Sequence, residues 1–575
     1  VKFRRLTRGP SSSVPMAPRV ASVLLALVSL SHTGSAFQPS SRAGRVRNLS
    51  HILTSSSEEY PVPNLDLSGR SNPPKPKPLP TKGDGLYAPA FVGLAQDMRL
   101  KSKTYSSDWT DGLQLQTVAV VPFLFFACIA PAVAFGSLIA PATNGAIGTV
   151  EYLLGTGLSG MIYALFSAQP MTIIGSTGPV LAFTAVLYEA TTRIGLPFLP
   201  IYAWVGLWSS LFLFLGSIFS LSNITSRLTK FTDETFSMLI SLIFITEAVK
   251  ECRFLFLTPG ISFETASGSL ILSVTAFFLA TTLSKLRSSQ FFNNTIRENV
   301  SNFAPTLGIL AAWKLGTVFR DMGVHLSGLQ MPLTFATTSG RPWLVDIFAV
   351  PMWARLAAVV PAIMSTILLF MDQNITARLV NSEKNKLRKG YGYDLDLFVI
   401  AALTAASSLV GLPWLVAATV RSLAHVRANA IYDPNVPGRV VGLREQRVTA
   451  FVVHAMILIA VLLFRPVLST LPASVMTGIF LFLGVSSLRG IEFWERTKLL
   501  LTDPEREPNS KFRNRVPRQV VKDFTTIQLA CLFGMIAVKE GPMGIFFPVL
   551  IALLGPVRNM LSRKAYFKPH MNVLD

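Results

Sequence analysis

Apolar residues run through most of this chain in blocks near 20 residues long, the length an α-helix needs to cross a bilayer, and short polar or basic loops separate them. In order, the blocks fall at 115–135, 150–167, 171–191, 201–221, 234–250, 268–286, 303–319, 354–376, 395–411, 414–431, 448–465, 472–488, 521–538 and 543–561. The pattern predicts an all-α polytopic membrane protein with about 14 transmembrane segments. Two blocks cannot be single clean helices. In the third, Gln169-Pro170 stops what precedes it, and Met171 to Ile174 is a short β-branched run that reads as extended chain. Ser176-Thr177-Gly178-Pro179 then reads as a helix start, with capping hydroxyls and an early proline. The tenth block repeats this grammar in Gly411-Leu412-Pro413-Trp414-Leu415-Val416-Ala417-Ala418-Thr419. Ser176 lies six residues after Pro170, and Thr419 lies six after Pro413.

One block is the third of the first half and the other the third of the second. A matched pair of interrupted segments marks a carrier's binding site, where two half-helix N-termini face each other near the midplane. Each N-terminus offers free N–H groups and the positive end of a dipole, which suits an anion. The bland alternative is two unrelated proline kinks, which membrane helices tolerate.

Composition agrees with the span count. Half of the 575 residues are hydrophobic and only 14% are charged, against roughly 25% in soluble proteins. The net charge is +21, and its location says more than its size. The loops after even-numbered segments hold Arg227 and Lys230; Lys285, Arg287 and Arg297; Lys384, Lys386, Arg388 and Lys389; and the basic stretch from Arg496 to Lys522. By the positive-inside rule both termini lie on the cytosolic or stromal side, which fits an even number of spans and does not suggest nucleic-acid binding. The three cysteines (Cys128, Cys252 and Cys531) show no ligand spacing, so neither a disulfide framework nor a zinc site is expected. No nucleophile–base pair, metal cluster or phosphate loop points to an enzyme.

The tail reads as three pieces ahead of the membrane domain. Residues 1–36 resemble a signal peptide, with Met16 as the expected start, an apolar run from Val20 to Leu30 and a small-residue cleavage site at Gly34-Ser35-Ala36. Residues 37–57 are rich in Ser and Arg like a transit peptide, and 58–92 form a Pro/Lys/Ser-rich linker expected to be disordered. The junction Ala36-Phe37 resembles the bipartite presequence of algal plastid proteins. A plastid envelope is therefore one destination and the plasma membrane the alternative. Residues 93–575 are expected to form the membrane domain, with repeats at about 113–320 and 352–561.

Charged residues inside apolar blocks are functional candidates because burying them in lipid is costly. Asp372 ends a long apolar run and begins a polar stripe with Asn374 and Thr376; Arg421 lies in the second broken segment. The alternatives are an interfacial Asp372 and an Arg421 that merely pairs with it. Glu247, Asp233, Glu234 and Lys539 read as structural or interfacial charges, and His425 and His454 as packing or hydrogen-bonding residues.

Several long motifs resemble the bicarbonate transporter family of anion exchangers, sodium-coupled bicarbonate carriers and borate carriers. They are DWTDGL (108–113), AQPMTIIGSTGPVLAF (168–183), FSMLISLIFITEAVK (236–250), FMDQNITARLV (370–380), YDLDLF (393–398), GLPWLVAATVRSLAH (411–425), REQRVTA (444–450) and GIFLFLGVSSLRGI (478–491). The resemblance implies a seven-plus-seven inverted repeat. Segments one to four and eight to eleven form a core domain, the others a gate domain, and core moves against gate as an elevator. It places Ser176, Thr177 and Gly178 at the first half-helix N-terminus, Ala418, Thr419 and Arg421 at the second, and Asp372 beside them.

TIIGSTGPVL and Asp372 are similar to the sodium-coupled carriers, whereas Arg421 is similar to the chloride–bicarbonate exchangers. The expected function is secondary active transport of bicarbonate, coupled to sodium or exchanged for chloride. The alternatives are a carrier of borate or sulfate on the same fold, or a transport-inactive scaffold. No cofactor is expected beyond sodium as a coupling ion, which Asp372 would hold with Thr177 and Thr419. The expected partners are membrane lipids and a second copy of the chain in a homodimer, with no nucleic acid.

Overall fold

The computed structural model describes residues 88–575 apart from 228, 330, 333, 433–439, 504–514 and 542. The expected presequence, transit segment and most of the linker lie outside the described residues.

A largely polar helix, α1 (Val92–Thr110), comes first. Then follow α2 (Leu115–Ala142), α3 (Thr149–Phe166), the two-residue strand β1 (Ile174–Gly175), α4 (Gly178–Ile194) and α5 (Phe198–Ile218). Helices α6 (Lys230–Leu257), α7 (Phe263–Lys285), α8 (Asn294–Asn302) and α9 (Ala304–Asp321) complete the first half. The second half begins, after a long loop, with α10 (Met352–Ala357) and α11 (Val359–Val380), then α12 (Tyr393–Val410). Strand β2 (Val416–Ala417), α13 (Thr419–Ala428), the hairpin β3 (Ala430–Tyr432) and β4 (Val440–Leu443), and α14 (Val448–Leu463) follow. The chain then runs through α15 (Arg465–Ser469), α16 (Ala473–Ser487), α17 (Glu492–Leu501), α18 (Arg518–Glu540), α19 (Phe547–Arg563) and α20 (Met571–Leu574). Among the described residues, seven helices are long and apolar enough to cross a membrane, or eight if α16 and α17, bent by 83° at their junction, count as one broken span.

Both ends of the first broken segment follow the local chemistry. Pro170 follows the end of α3, and α4 opens at Gly178 with Pro179 in its first turn, where the missing N–H costs nothing. Gly195, at φ 77°, closes α4 as a left-handed cap that a side chain would strain. The end of the expected linker is held in place: the N–H groups of Ala88 and Phe91 donate to the carbonyls of Phe219 and Ile218, each at 2.9 Å.

The helices sort into two packed groups. In one, α5 packs on α11 and α12, α14 packs on α2 and α3, and α11 packs on α13. In the other, α16 packs on α6 and α7, α7 on α9, and α18 and α19 on α6. They meet where α2 touches α16 and α4 touches α6, around an aromatic trio from three helices. Phe135 and Phe480 have ring centroids 4.9 Å apart, Phe244 and Phe480 5.5 Å, and Phe135 and Phe244 5.7 Å.

Within the first group, α1, the end of α3 and the segment before α14 are tied by buried charge. Asp108 on α1 is fully buried and accepts from Arg447 and Lys389, each at 3.0 Å. The Arg447 guanidinium also donates to the carbonyls of Ala164 at 2.8 Å and Ser167 at 2.7 Å, at the end of α3. A buried charge is tolerated when it is paired and fully hydrogen-bonded, as Arg447 is here.

Candidate functional site

The two extended runs cross each other. Strands β1 and β2 pair antiparallel, with Ile174 opposite Ala417 and Gly175 opposite Val416. The Ala418 N–H donates to the Ile173 carbonyl at 2.8 Å, extending the ladder toward α13. Extended chain inside a bundle leaves backbone groups without helical partners, and buried polar groups need them. Side chains of neighbouring helices are among those that supply them. Asp396 accepts from the N–H groups of Ala168 at 2.7 Å and Gln169 at 3.2 Å. The Ser422 hydroxyl accepts from the Ile173 N–H at 3.0 Å. Gln373 accepts from the Ala417 N–H at 2.9 Å, and Thr376 donates to the Ala417 carbonyl at 3.2 Å. These side chains position the site, and the sequence reading assigned none of them to it as a backbone partner. The signal they leave is one of place: Gln373 and Thr376 follow Asp372 in α11, Ser422 follows Arg421 in α13, and Asp396 lies in the first turn of α12.

The crossing brings most of the predicted residues together. Thr177 is the N-cap of α4, but its hydroxyl does not cap the helix. It donates instead to the Asp372 carboxylate on α11 at 2.7 Å, which corrects the expectation of a hydroxyl cap. Ser176 is buried, and its hydroxyl has no partner among the described residues. A side chain at Gly178 would stand 3.0 Å from the Phe244 ring, so this helix start lies tight against the second helix group. Ala418 is the N-cap of α13, and Thr419 and Arg421 lie in that helix's first turn.

Asp372 and Arg421 are both buried, at 4% and 6% exposure, yet they do not pair with each other. Arg421 donates through Nη2 to the Ser176 carbonyl at 2.5 Å, and Nη1 has no oxygen or nitrogen partner among the described residues. The alternative of an Arg421 that serves only to pair with Asp372 is thereby corrected. Thr419 is also not placed on Asp372 by a hydrogen bond; its hydroxyl meets that of Thr376 at 2.6 Å. Gly175 lies close against it: a Cβ would stand 2.2 Å from Arg421 Nη1, so a larger residue would displace the guanidinium or the strand.

Electrostatically the site concentrates positive charge. Two helix N-termini, each worth roughly half a unit charge, flank a buried guanidinium, with one carboxylate to offset them. An arginine with a free N–H edge suits a planar oxyanion. The two histidines expected to pack are fully buried and each bonds a carbonyl through Nδ1, His425 that of Met171 at 3.0 Å and His454 that of Ala450 at 2.7 Å. Asp233 pairs with Arg378, Glu234 with Arg496, and Glu247 with Lys539, as structural charges do.

One further assembly, around the loop between α9 and α10, was not revealed by the sequence. Glu151, fully buried, accepts from the N–H groups of Gly148 at 2.9 Å and Thr338 at 2.8 Å and from the Thr338 hydroxyl at 2.5 Å. Arg341, three residues on, donates to the Ala146 carbonyl at 3.2 Å and the Gly411 carbonyl at 2.9 Å. The loop between α9 and α10 thus holds the start of the second extended run.

The family profile described as the HCO3- transporter integral membrane domain matches residues 89–259 and 259–575. The chain belongs to this bicarbonate transporter family. It is 33% identical over 563 residues to the electroneutral sodium bicarbonate exchanger 1 of Rattus norvegicus, covering 84% of this chain and 51% of that one. It is 35% identical over 546 residues to anion exchange protein 4 of Homo sapiens, covering 82% and 55%. The chain therefore spans about half the length of these curated relatives.

Among solved structures, the transmembrane domain of the cyanobacterial bicarbonate transporter BicA superposes with a TM-score of 0.52 at 12% identity, covering 73% of this chain and 97% of that one. SLC26A9 superposes at 0.51 and 12% identity, covering 84% and 74%, so the likeness is one of fold. As a member of the bicarbonate transporter family with these helices, the chain is an integral multi-pass membrane protein.

Proposed function

We propose that this chain moves bicarbonate across a membrane by secondary active transport. The observation that carries the reading is the antiparallel crossing of β1 and β2, which sets two half-helix starts and the free edge of Arg421 around one buried point. An anion bound there is held by Arg421 and the two dipole ends. Asp372, tied to Thr177, supplies the one negative charge beside it, where a sodium ion between carboxylate and anion gives cotransport. Without sodium the same positive site exchanges bicarbonate for chloride. The relatives' names include a sodium bicarbonate cotransporter, a sodium-driven chloride bicarbonate exchanger and an anion exchange protein.

In this reading the first helix group is the core, which carries the site, and the second is the gate. Fourteen segments form a seven-plus-seven inverted repeat, and the core rises and falls past the aromatic trio as an elevator in each protomer of a homodimer. The presequence directs the chain to a plastid envelope, where it supplies inorganic carbon.

Labelled bicarbonate flux into proteoliposomes, with sodium present or absent and trans chloride varied, tests the proposal. Sodium-stimulated flux is the expected result. Flux that needs trans chloride and ignores sodium would assign exchange. Absence of any bicarbonate flux, with borate or sulfate carried instead, would overturn the substrate.

A further inference from the structure

We infer that Arg465 is the centre of a second anion site, apart from Arg421, in which a small inorganic anion, chloride or bicarbonate, joins two passages of the chain between the helix groups.

One passage is the loop between α9 and α10, which leaves the second group for the first. The other is α15, which carries the chain from α14 back to α16. They run side by side. The Leu329 N–H donates to the Leu471 carbonyl and the Ala473 N–H to the Ser327 carbonyl, each at 3.0 Å. A Cβ at Gly328 would stand 2.4 Å from the Ser469 carbonyl oxygen. Farther along the loop, Phe335 stacks on Trp343 with ring centroids 5.2 Å apart. The Arg465 guanidinium lies 5.3 Å from the centre of the Phe335 ring.

Arg465 opens α15, just past the end of α14, where a long basic side chain ordinarily turns its head out to water or lipid headgroups. Here the arrangement is inverted. The apolar neighbours are the exposed ones, Leu463 at 69% and Phe464 at 55%, while Arg465 is 9% exposed. Its Nε and Nη1 are buried and have no hydrogen-bond partner among the described residues. The Phe335 ring attracts the charge but brings no oxygen to those N–H groups. A buried cation with open donors calls for a counter-charge. An anion at these nitrogens supplies it and keeps the guanidinium against Phe335, so that α15 and the loop are held together. Both nitrogens are closed off from the surface, which favours a small inorganic ion over a phospholipid headgroup.

Melting in a non-ionic detergent, with chloride or bicarbonate replacing bulky gluconate at fixed ionic strength, tests the inference. An Arg421→Ala background silences the first site. The apparent Tm of Arg421→Ala is expected to rise saturably, by roughly 2–4 °C. Adding Arg465→Gln is expected to remove the rise. No saturable rise in Arg421→Ala, or a rise that survives Arg465→Gln, overturns the inference. Stabilisation by added phosphatidylglycerol and by neither ion assigns the position to lipid and overturns it too.

A second variant covers the case in which Arg465→Gln does not fold. Phe335 is 44% exposed, and Phe335→Glu sets a carboxylate beside Arg465 in place of the ring. In the Arg421→Ala background it is expected to raise the apparent Tm in gluconate and to abolish the response to chloride. A response to chloride that persists beside the carboxylate overturns the inference. Flux enters none of these measurements, so a chain that carries no bicarbonate would sink the transport reading and leave the Arg465 site to its own test.

Discussion

Arg421 and Ser176 belong to opposite broken segments, and the guanidinium of one donates to the backbone carbonyl of the other at 2.5 Å. The contact spends one edge of the guanidinium on structure and leaves the other for a ligand. Arg421→Ala is expected to lower bicarbonate flux per folded transporter roughly 10- to 100-fold, since a hydrogen bond to a charged group contributes about 1.5–3 kcal/mol. Arg421→Lys is expected to recover little, because a single ammonium cannot hold Ser176 and face an anion with a second planar edge. Isotope uptake normalised to reconstituted protein reads both, and wild-type uptake by Arg421→Ala refutes the assignment.

Gly175 makes a sharper test of the same geometry, since the substitution adds one methyl group and no charge. Its Cβ would stand 2.2 Å from Arg421 Nη1, so the strand or the guanidinium must move. Overpacking of this kind costs about 1–3 kcal/mol. Gly175→Ala is expected to insert into membranes and to lose most of its flux, with a rise in half-saturating bicarbonate. An unchanged half-saturation would show that the guanidinium does not bind cargo where the structure holds it.

Asp372 carries the test of coupling. Asn in its place still accepts the Thr177 hydroxyl, now at 2.7 Å from the carboxylate, but brings no charge. Asp372→Asn is expected to abolish sodium stimulation while leaving a residual sodium-independent anion flux. Parallel uptake curves with sodium and with an impermeant organic cation measure this. Sodium stimulation of wild-type size in Asp372→Asn rules out Asp372 as the sodium residue.

The broken segments were legible in the sequence because Pro170 and Pro413 cannot continue a helix, and the small residues after them can only restart one. Arg421 and Asp372 stood out because charge is rare in apolar blocks. Helical periodicity does not say which hydroxyl turns toward which neighbour. Hence Thr419 was grouped with Asp372, although it faces Thr376. The pairing of Ile174 with Ala417 joins residues far apart in the chain, and no local pattern encodes it. Arg341 was invisible for the same reason: it lies in a polar loop, and its partner Gly411 belongs to another segment.

Glu151 anchors that loop, and its removal is expected to show as instability before it shows as lost transport. Glu151→Ala leaves the N–H groups of Gly148 and Thr338 buried without a carboxylate. Each such orphan costs about 1–3 kcal/mol. The apparent Tm in detergent is expected to fall by several degrees, with Glu151→Gln intermediate because one amide oxygen can still accept. Equal melting of all three proteins would mean that the loop is not held through Glu151.

Asp97 gives the fold a predictable response to pH from outside the membrane-spanning helices. Its carboxylate, on α1, accepts from the N–H groups of Asp394 at 3.0 Å and Leu395 at 3.2 Å. Burial, with the Asp394 charge adding to it, pushes its pKa from 3.8 up to about 7. A carboxyl whose folded pKa is raised favours the folded state only while it is protonated. As pH rises from about 4 the unfolded chain ionises freely and the folded one does not, so this group's contribution falls until about pH 7 and is level above it. Asp97→Asn keeps an acceptor for both N–H groups and has nothing to titrate. The two proteins are therefore expected to melt together near pH 4 and to separate between pH 4 and 7, with Asp97→Asn the more stable by at most about 4 kcal/mol. Melting curves of the pair across this range, in one detergent, measure it. A constant difference with pH, or a wild-type chain that gains on the variant as pH rises, would show that Asp97 is ionised in the folded protein.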